Sequence, residues 1–180
     1  ANGKRVLDIG GSRMKREKRD ELYESQYDKI SIVAKEYKVV DYQPCDYQIN
    51  LDDDTGAIKL LTIISDFKPD IILCMDTLEH LNRHYEILNV LASAIDFGAA
   101  VYITLPNNLN WITGLLGWDH DHCVSFMPST AYRFISRSGM QRHIIKTFHC
   151  IGKFRKIWFP LWIASFFQGT SIGFFITKRQ

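Results

Sequence analysis

The chain alternates between short apolar runs and longer stretches with helical spacing. The runs RVLDIG (5–10), YKVVDY (37–42), QINL (48–51), DIILCM (70–75), AVYITL (100–105), HIIKTF (143–148) and IGFFITK (172–178) predict seven strands. Helical spacing lies between them. Residues 56–66 fit a helix stopped by Pro69, and residues 83–95 place Tyr85, Leu88, Leu91, Ala92 and Ile95 on one face. Residues 129–138 open at a PST cap and end before Gly139. The stretch 14–34 is charged first and apolar later, and its pattern fixes no single element. Near-continuous apolar strands are buried on both faces. The pattern therefore predicts an α/β fold: a Rossmann-like, mainly parallel seven-stranded sheet with helices on both faces. Ligands of such sheets lie beyond the carboxyl ends of the strands, where strand order reverses.

Composition narrows this picture slightly. At 180 residues, 46% apolar and 23% charged, the chain has the balance of one folded domain spanning 1–180. It opens without Met and enters a strand almost at once, so residues preceding it are expected. A net charge of +2 does not call for nucleic acid. Four cysteines without CxxC spacing suggest reduced thiols in a cytoplasmic protein. The apolar run 157–167 is 11 residues and contains Pro160, too short for the ~20 residues of a membrane helix.

The strand tips carry the candidate chemistry. The first ends VLDIGGSR, with Asp8 before Gly10, Gly11 and Ser12. Glycine lets the backbone turn tightly and come close to a ligand. The second ends at Asp41, an acid able to accept both hydroxyls of a ribose. It lies 33 residues after Asp8, beyond the ~20 of the dinucleotide fingerprint; Asp28 has better spacing but precedes its apolar run. The third ends in three acids, of which Asp52 or Asp53 could meet an adenine amino group. The fourth runs into CMDTLEH, where Asp76, Glu79 and His80 at i, i+3 and i+4 would share a helical face. The fifth ends at Pro106, and Asn107 can offer an amide to the cleft.

These tips together resemble the class I S-adenosylmethionine-dependent methyltransferases. VLDIGGS looks like their first motif, VVDY their ribose acid, DIILCMDTLEHL their fourth-strand motif and VYITLPN their fifth. DHCVSFMPSTAYRFISRSGM (121–140) is similar to their stretch before strand six. The likeness is closest to the branch acting on quinone precursors, sugars, lipids or RNA ends. It implies an antiparallel last strand and a cofactor, S-adenosylmethionine, held by Asp8, Gly10, Gly11, Ser12, Asp41, Asp52 and Met75. Asp76 through His80, Asn107 and His122 would face the acceptor. The first motif departs from the family pattern, with Ser12 and Met14 at its later glycine places.

Three readings of the fourth tip stay open. Asp76 could cap a helix, with Glu79 as its capping-box partner and His80 bonded to backbone. Alternatively Asp76, Glu79, His80 and a later His122 could hold Mg²⁺ or Mn²⁺, an arrangement similar to the metal motif of some family members. In the third reading His80, His120 or His122 serves as a general base without metal. The basic run 13–19 could draw an anionic acceptor, and 157–167 could make an acceptor wall, a peripheral membrane contact or a dimer contact. The function expected is O-methylation of a small-molecule, sugar or lipid-linked acceptor. The alternatives are a cofactor-free methyltransferase-like binding module, a metal-assisted RNA 2′-O-methyltransferase, and a nucleotide-sugar or dinucleotide enzyme.

Overall fold

Residues 2–11, 30–107, 123–124, 126–150 and 171–179 are described by a computed structural model. Seven strands pair into one sheet: β1 (Arg5–Ile9), β2 (Glu36–Asp41), β3 (Tyr47–Gln48), β4 (Ile71–Met75), β5 (Ala100–Pro106), β6 (Ile144–Cys150) and β7 (Ser171–Thr177). Their order is β3-β2-β1-β4-β5-β7-β6. The pairings from β3 to β5 are parallel, and β7 runs antiparallel between β5 and β6. The chain winds outward from β1 to β3, then returns to β4 on the other side of β1. Strand order therefore reverses between β1 and β4.

Three helices, α1 (Gly56–Phe67), α2 (His84–Asp96) and α3 (Pro128–Arg137), cover one face. Helix α1 buries Leu60, Ile64 and Phe67, one turn apart, and ends where Lys68 takes a left-handed φ of 49° ahead of Pro69. Helix α2 buries Leu88, Leu91 and Ile95. The Thr130 hydroxyl, in the first turn of α3, accepts the Met127 N–H at 2.8 Å. All three helices pack on Leu7, Ile9, Ile72, Val101, Ile103 and Phe174 of the sheet. Leu91 is fully buried in this layer, so Leu91→Ala should cost about 2–5 kcal/mol.

Successive strand residues point to opposite faces. Leu7 and Ile9 face the helices, so Val6 and Asp8 face away. On that second face Val6, Tyr37, Val39 and Leu73 form a smaller cluster, joined by Ile30, Ala34, Met75 and Tyr102. Asp8 thus sits on the second face of β1, beside Tyr37 of its neighbour β2.

Candidate functional site

The site forms where β1, β2 and β4 end together. Asp8 pairs in register with Val39, and Ile9 with Val40, which sets the tips of β1 and β2 side by side. The turn after β1 begins with Gly10, whose N–H donates to Val40 O at 2.8 Å. Gly10 has a φ of +79°, and a Cβ there would lie 2.3 Å from Thr77 Oγ1. A Cβ on Gly11 would lie 2.3 Å from Asp8 Oδ2. Glycine at both positions therefore lets the turn close over Asp8 on one side and Thr77 on the other. Thr77 locks this contact by donating to the carbonyls of Ile9 and Met75.

Two acids lie under the turn. Asp8 is 4% exposed and Asp41 5%. Burial pushes Asp8 up to about 6; the Tyr37 hydroxyl, which donates to its Oδ2, works against that rise, and the Asp41 charge adds to it. Asp41 caps the tip of β2, where its Oδ1 accepts the Gln43 N–H at 3.0 Å. Met75, at the end of β4, packs on the same face as Asp8.

Asp52 serves as a brace. It accepts the Arg83 N–H at 3.0 Å and the Asn82 amide at 3.2 Å, tying the loop before α1 to the loop before α2. Asp53 accepts the Asn50 amide at 2.9 Å. Asn107, 1% exposed, closes the carboxyl end of β5.

Asp76, Glu79 and His80 do not share a helical face. Asp76 takes a left-handed φ of 46°, and only a single 3-10 turn, Leu78–His80, follows before the chain extends at Leu81. Helix α2 begins later, at His84. Glu79 consequently turns inward, 1% exposed, while Asp76 and His80 are exposed. Asp76 caps no helix. Its N–H donates to Thr104 Oγ1 at 3.0 Å, and the Thr104 hydroxyl donates back to Asp76 Oδ1 at 2.9 Å. Among the described residues no three of His, Cys, Asp and Glu converge to hold a metal ion. One inward and two outward side chains do not fit a shared Mg²⁺ or Mn²⁺, which needs its oxygen ligands about 2.0–2.2 Å from one point. His122, Ser12, Met14, His120, the basic run 13–19 and the aromatic run 157–167 lie outside the described residues.

Sequence reading did not single out Tyr37, Thr77 or Thr104. Each acts through register. Tyr37 reaches Asp8 only because β1 and β2 pair as they do, and Thr104 reaches Asp76 because Met75 lies opposite it.

A groove of about 410 Å³ lies at the other end of the strands, lined by Ile64, Lys68, Asp70 and Phe97. Asp70 there is bonded to the Arg5 N–H and to Lys4. The glycine turn and the buried acids Asp8 and Asp41 are at the opposite, carboxyl end of the strands.

A mainly parallel sheet whose order reverses between β1 and β4, with a glycine turn and a tip acid beside that point, is a Rossmann-like arrangement, whose ligands lie in the crevice at the reversal. No family model matches the chain. The ubiquinone biosynthesis O-methyltransferase of Burkholderia pseudomallei (strain 1710b) is 26% identical over 166 residues, covering 84% of this chain and 71% of that protein. Among solved structures, a SAM-dependent methyltransferase from Archaeoglobus fulgidus matches with a TM-score of 0.61 at 19% identity, covering 98% of this chain and 86% of that one. The N-methyltransferase NodS from Bradyrhizobium japonicum WM9, in complex with S-adenosylhomocysteine, matches with a TM-score of 0.51 at 10% identity, covering 98% and 80%. The chain is thus similar in sequence to an O-methyltransferase and shares the fold of S-adenosylmethionine-dependent methyltransferases.

No helix among the described residues is long and apolar enough to cross a membrane.

Proposed function

We propose that the chain transfers a methyl group from S-adenosylmethionine to an oxygen of a small-molecule, sugar or lipid-linked acceptor. The observation that carries this reading is the convergence of Asp8, Gly10, Gly11 and Asp41 at the reversal point of the sheet. The residues fit the cofactor: both glycine positions are places a Cβ would block, and Asp41 ends β2 where a ribose acid belongs. The curated relative, named for O-methylation in ubiquinone biosynthesis, supports an oxygen nucleophile.

When bound, the cofactor supplies an electrophilic methyl carbon on a sulfonium. Such a transfer needs alignment more than acid–base work. In this reading the Gly10–Gly11 backbone meets the cofactor closely, Asp41 accepts its ribose hydroxyls, and Ser12 and Met75 complete its pocket. Asp52 acts on the adenine end indirectly, by holding its loop. Asp76, braced by Thr104, presents its carboxylate to an acceptor hydroxyl. His80, exposed on the same turn, takes the proton the hydroxyl releases; His122 is the second candidate for that role. The free Cys45, Cys74 and Cys123 suit a reducing cytoplasm.

Isothermal titration tests the reading. Saturable heat with S-adenosylhomocysteine and none with NAD is expected. Heat with NAD alone would favour a dinucleotide enzyme, and no heat with either would favour a cofactor-free binding module.

A further inference from the structure

The second face of the sheet carries one contact that the proposed chemistry leaves unexplained. Tyr37 enters β2 four residues before its tip, 9% exposed, amid Val6, Val39 and Leu73. Its ring reaches across the strand pair, and its hydroxyl donates to Asp8 Oδ2. That carboxylate lies against the cofactor turn: a Cβ on Gly11 would sit 2.3 Å from Oδ2 and 2.9 Å from Oδ1. Phenylalanine would fill the same apolar space without the donor. Tyrosine at this position aims a buried hydroxyl at a buried acid beneath the ligand turn.

We propose that Tyr37 is a positioning residue for cofactor binding: by fixing the Asp8 carboxylate beneath the Gly10–Gly11 turn, it makes recognition of the cofactor's cationic amino-acid end depend on Asp8 being ionised. The inference rests on the methyltransferase reading of the site and adds a residue and a pH dependence to it.

The charges around Asp8 support this. Among the described residues, the titratable groups acting on Asp8 are Tyr37 and Asp41 from β2; the Cys74 thiol of β4 packs on the helix side of the sheet, with Leu7 and Ile9. Burial keeps Cys74 protonated. Burial also favours neutral Asp8, Asp41 pushes the same way, and the Tyr37 hydrogen bond alone opposes them. An ammonium group arriving at the turn would join Tyr37 in favouring the charged form. Removing the hydroxyl leaves burial and Asp41 unopposed, so Asp8 would ionise only at higher pH.

The test compares two ligands. S-Adenosylhomocysteine carries the amino-acid end, and 5′-methylthioadenosine lacks it. Isothermal titration of wild type from about pH 5 to 8 should show S-adenosylhomocysteine affinity falling roughly tenfold per pH unit below the Asp8 midpoint, as the binding-competent fraction shrinks. The affinity for 5′-methylthioadenosine should stay flat. Tyr37→Phe should move the S-adenosylhomocysteine midpoint to higher pH, and Asp8→Asn should abolish it. If Tyr37→Phe fails to fold, the two-ligand comparison on wild type still decides. A flat profile for S-adenosylhomocysteine, parallel losses for both ligands, or an unmoved midpoint in Tyr37→Phe would overturn the inference while leaving the methyltransferase reading in place. Binding of neither ligand at any pH would overturn both.

Discussion

The two ends of the sheet use the same side chain in opposite ways. At the amino end, Asp70 lies half in solvent, accepts the Arg5 N–H at 2.9 Å and pairs with Lys4 at 3.3 Å. The Arg5 hydrogen bond is the largest influence on its carboxyl, which is held below the usual range. At the carboxyl end, Asp8 is buried without a cation among its described partners, and burial pushes it up to about 6. Asp70 stitches β1 to β4 and stabilises the fold. Asp8 strains it. Acids perturbed in this way cluster at functional sites, which accords with the ligand proposed at the reversal point.

The largest expected effect breaks the carboxyl end outright. Gly10→Val puts a branched side chain at a φ of +79° and 2.3 Å from Thr77 Oγ1. It should cost about 2–4 kcal/mol of stability, read from the denaturant midpoint, and abolish S-adenosylhomocysteine binding. Asp41→Ala should leave the fold intact and weaken S-adenosylhomocysteine roughly 10–100-fold, the worth of hydrogen bonds to a charged group, measured by titration. Asp8→Asn separates the two ends by sign. Burial pushes the folded carboxyl up to about 6, above its ordinary value, so the native state holds the proton more tightly than the unfolded chain. Native stability is therefore greatest below the unfolded value and falls as pH rises from about 4 through 6. Asp8→Asn should remove that fall and stabilise the ligand-free protein at pH 8 by about 2–3 kcal/mol, with little change at pH 4. Asp70→Asn should do the reverse and by less. Its contribution is present above the unfolded value and is lost as pH falls through the lower folded one. Solvent screening limits the change to about 0.2–1 kcal/mol. Chemical denaturation of both variants across pH checks the pair.

Much of the fold was legible because the strands are apolar on both faces. Runs such as DIILCM and AVYITL leave little choice of element, and their limits agree with β4 and β5 to within a residue. Helix α2 followed from the spacing of Leu88, Leu91 and Ile95, and α1 from the segment 56–66 that Pro69 stops. The antiparallel last strand, taken from the family resemblance, stands as β7. The tips of β1 and β2, with Gly10, Gly11 and Asp41, also read correctly as neighbours at one rim.

The fourth tip did not, for a local reason. A helical face was expected for Asp76, Glu79 and His80, but Asp76 turns left-handed under the reciprocal Thr104 bonds and the chain makes only one tight turn. Its partner comes from β5, 28 residues away, and no periodicity within the segment encodes that bond. Asp52 illustrates the same limit. The resemblance put Asp52 at the adenine, while in the structure both its oxygens accept from the Asn82–Arg83 loop. Tyr37 meets Asp8 through the register of β1 and β2, which the local sequence does not encode.

The most direct test is a crystal structure of the protein grown with S-adenosylhomocysteine. The account predicts the ribose hydroxyls within hydrogen-bonding distance of the Asp41 carboxylate and the amino-acid end against Gly10 and Gly11. Ligand density at the Asp70 groove, or elsewhere than the tips of β1 and β2, would contradict it.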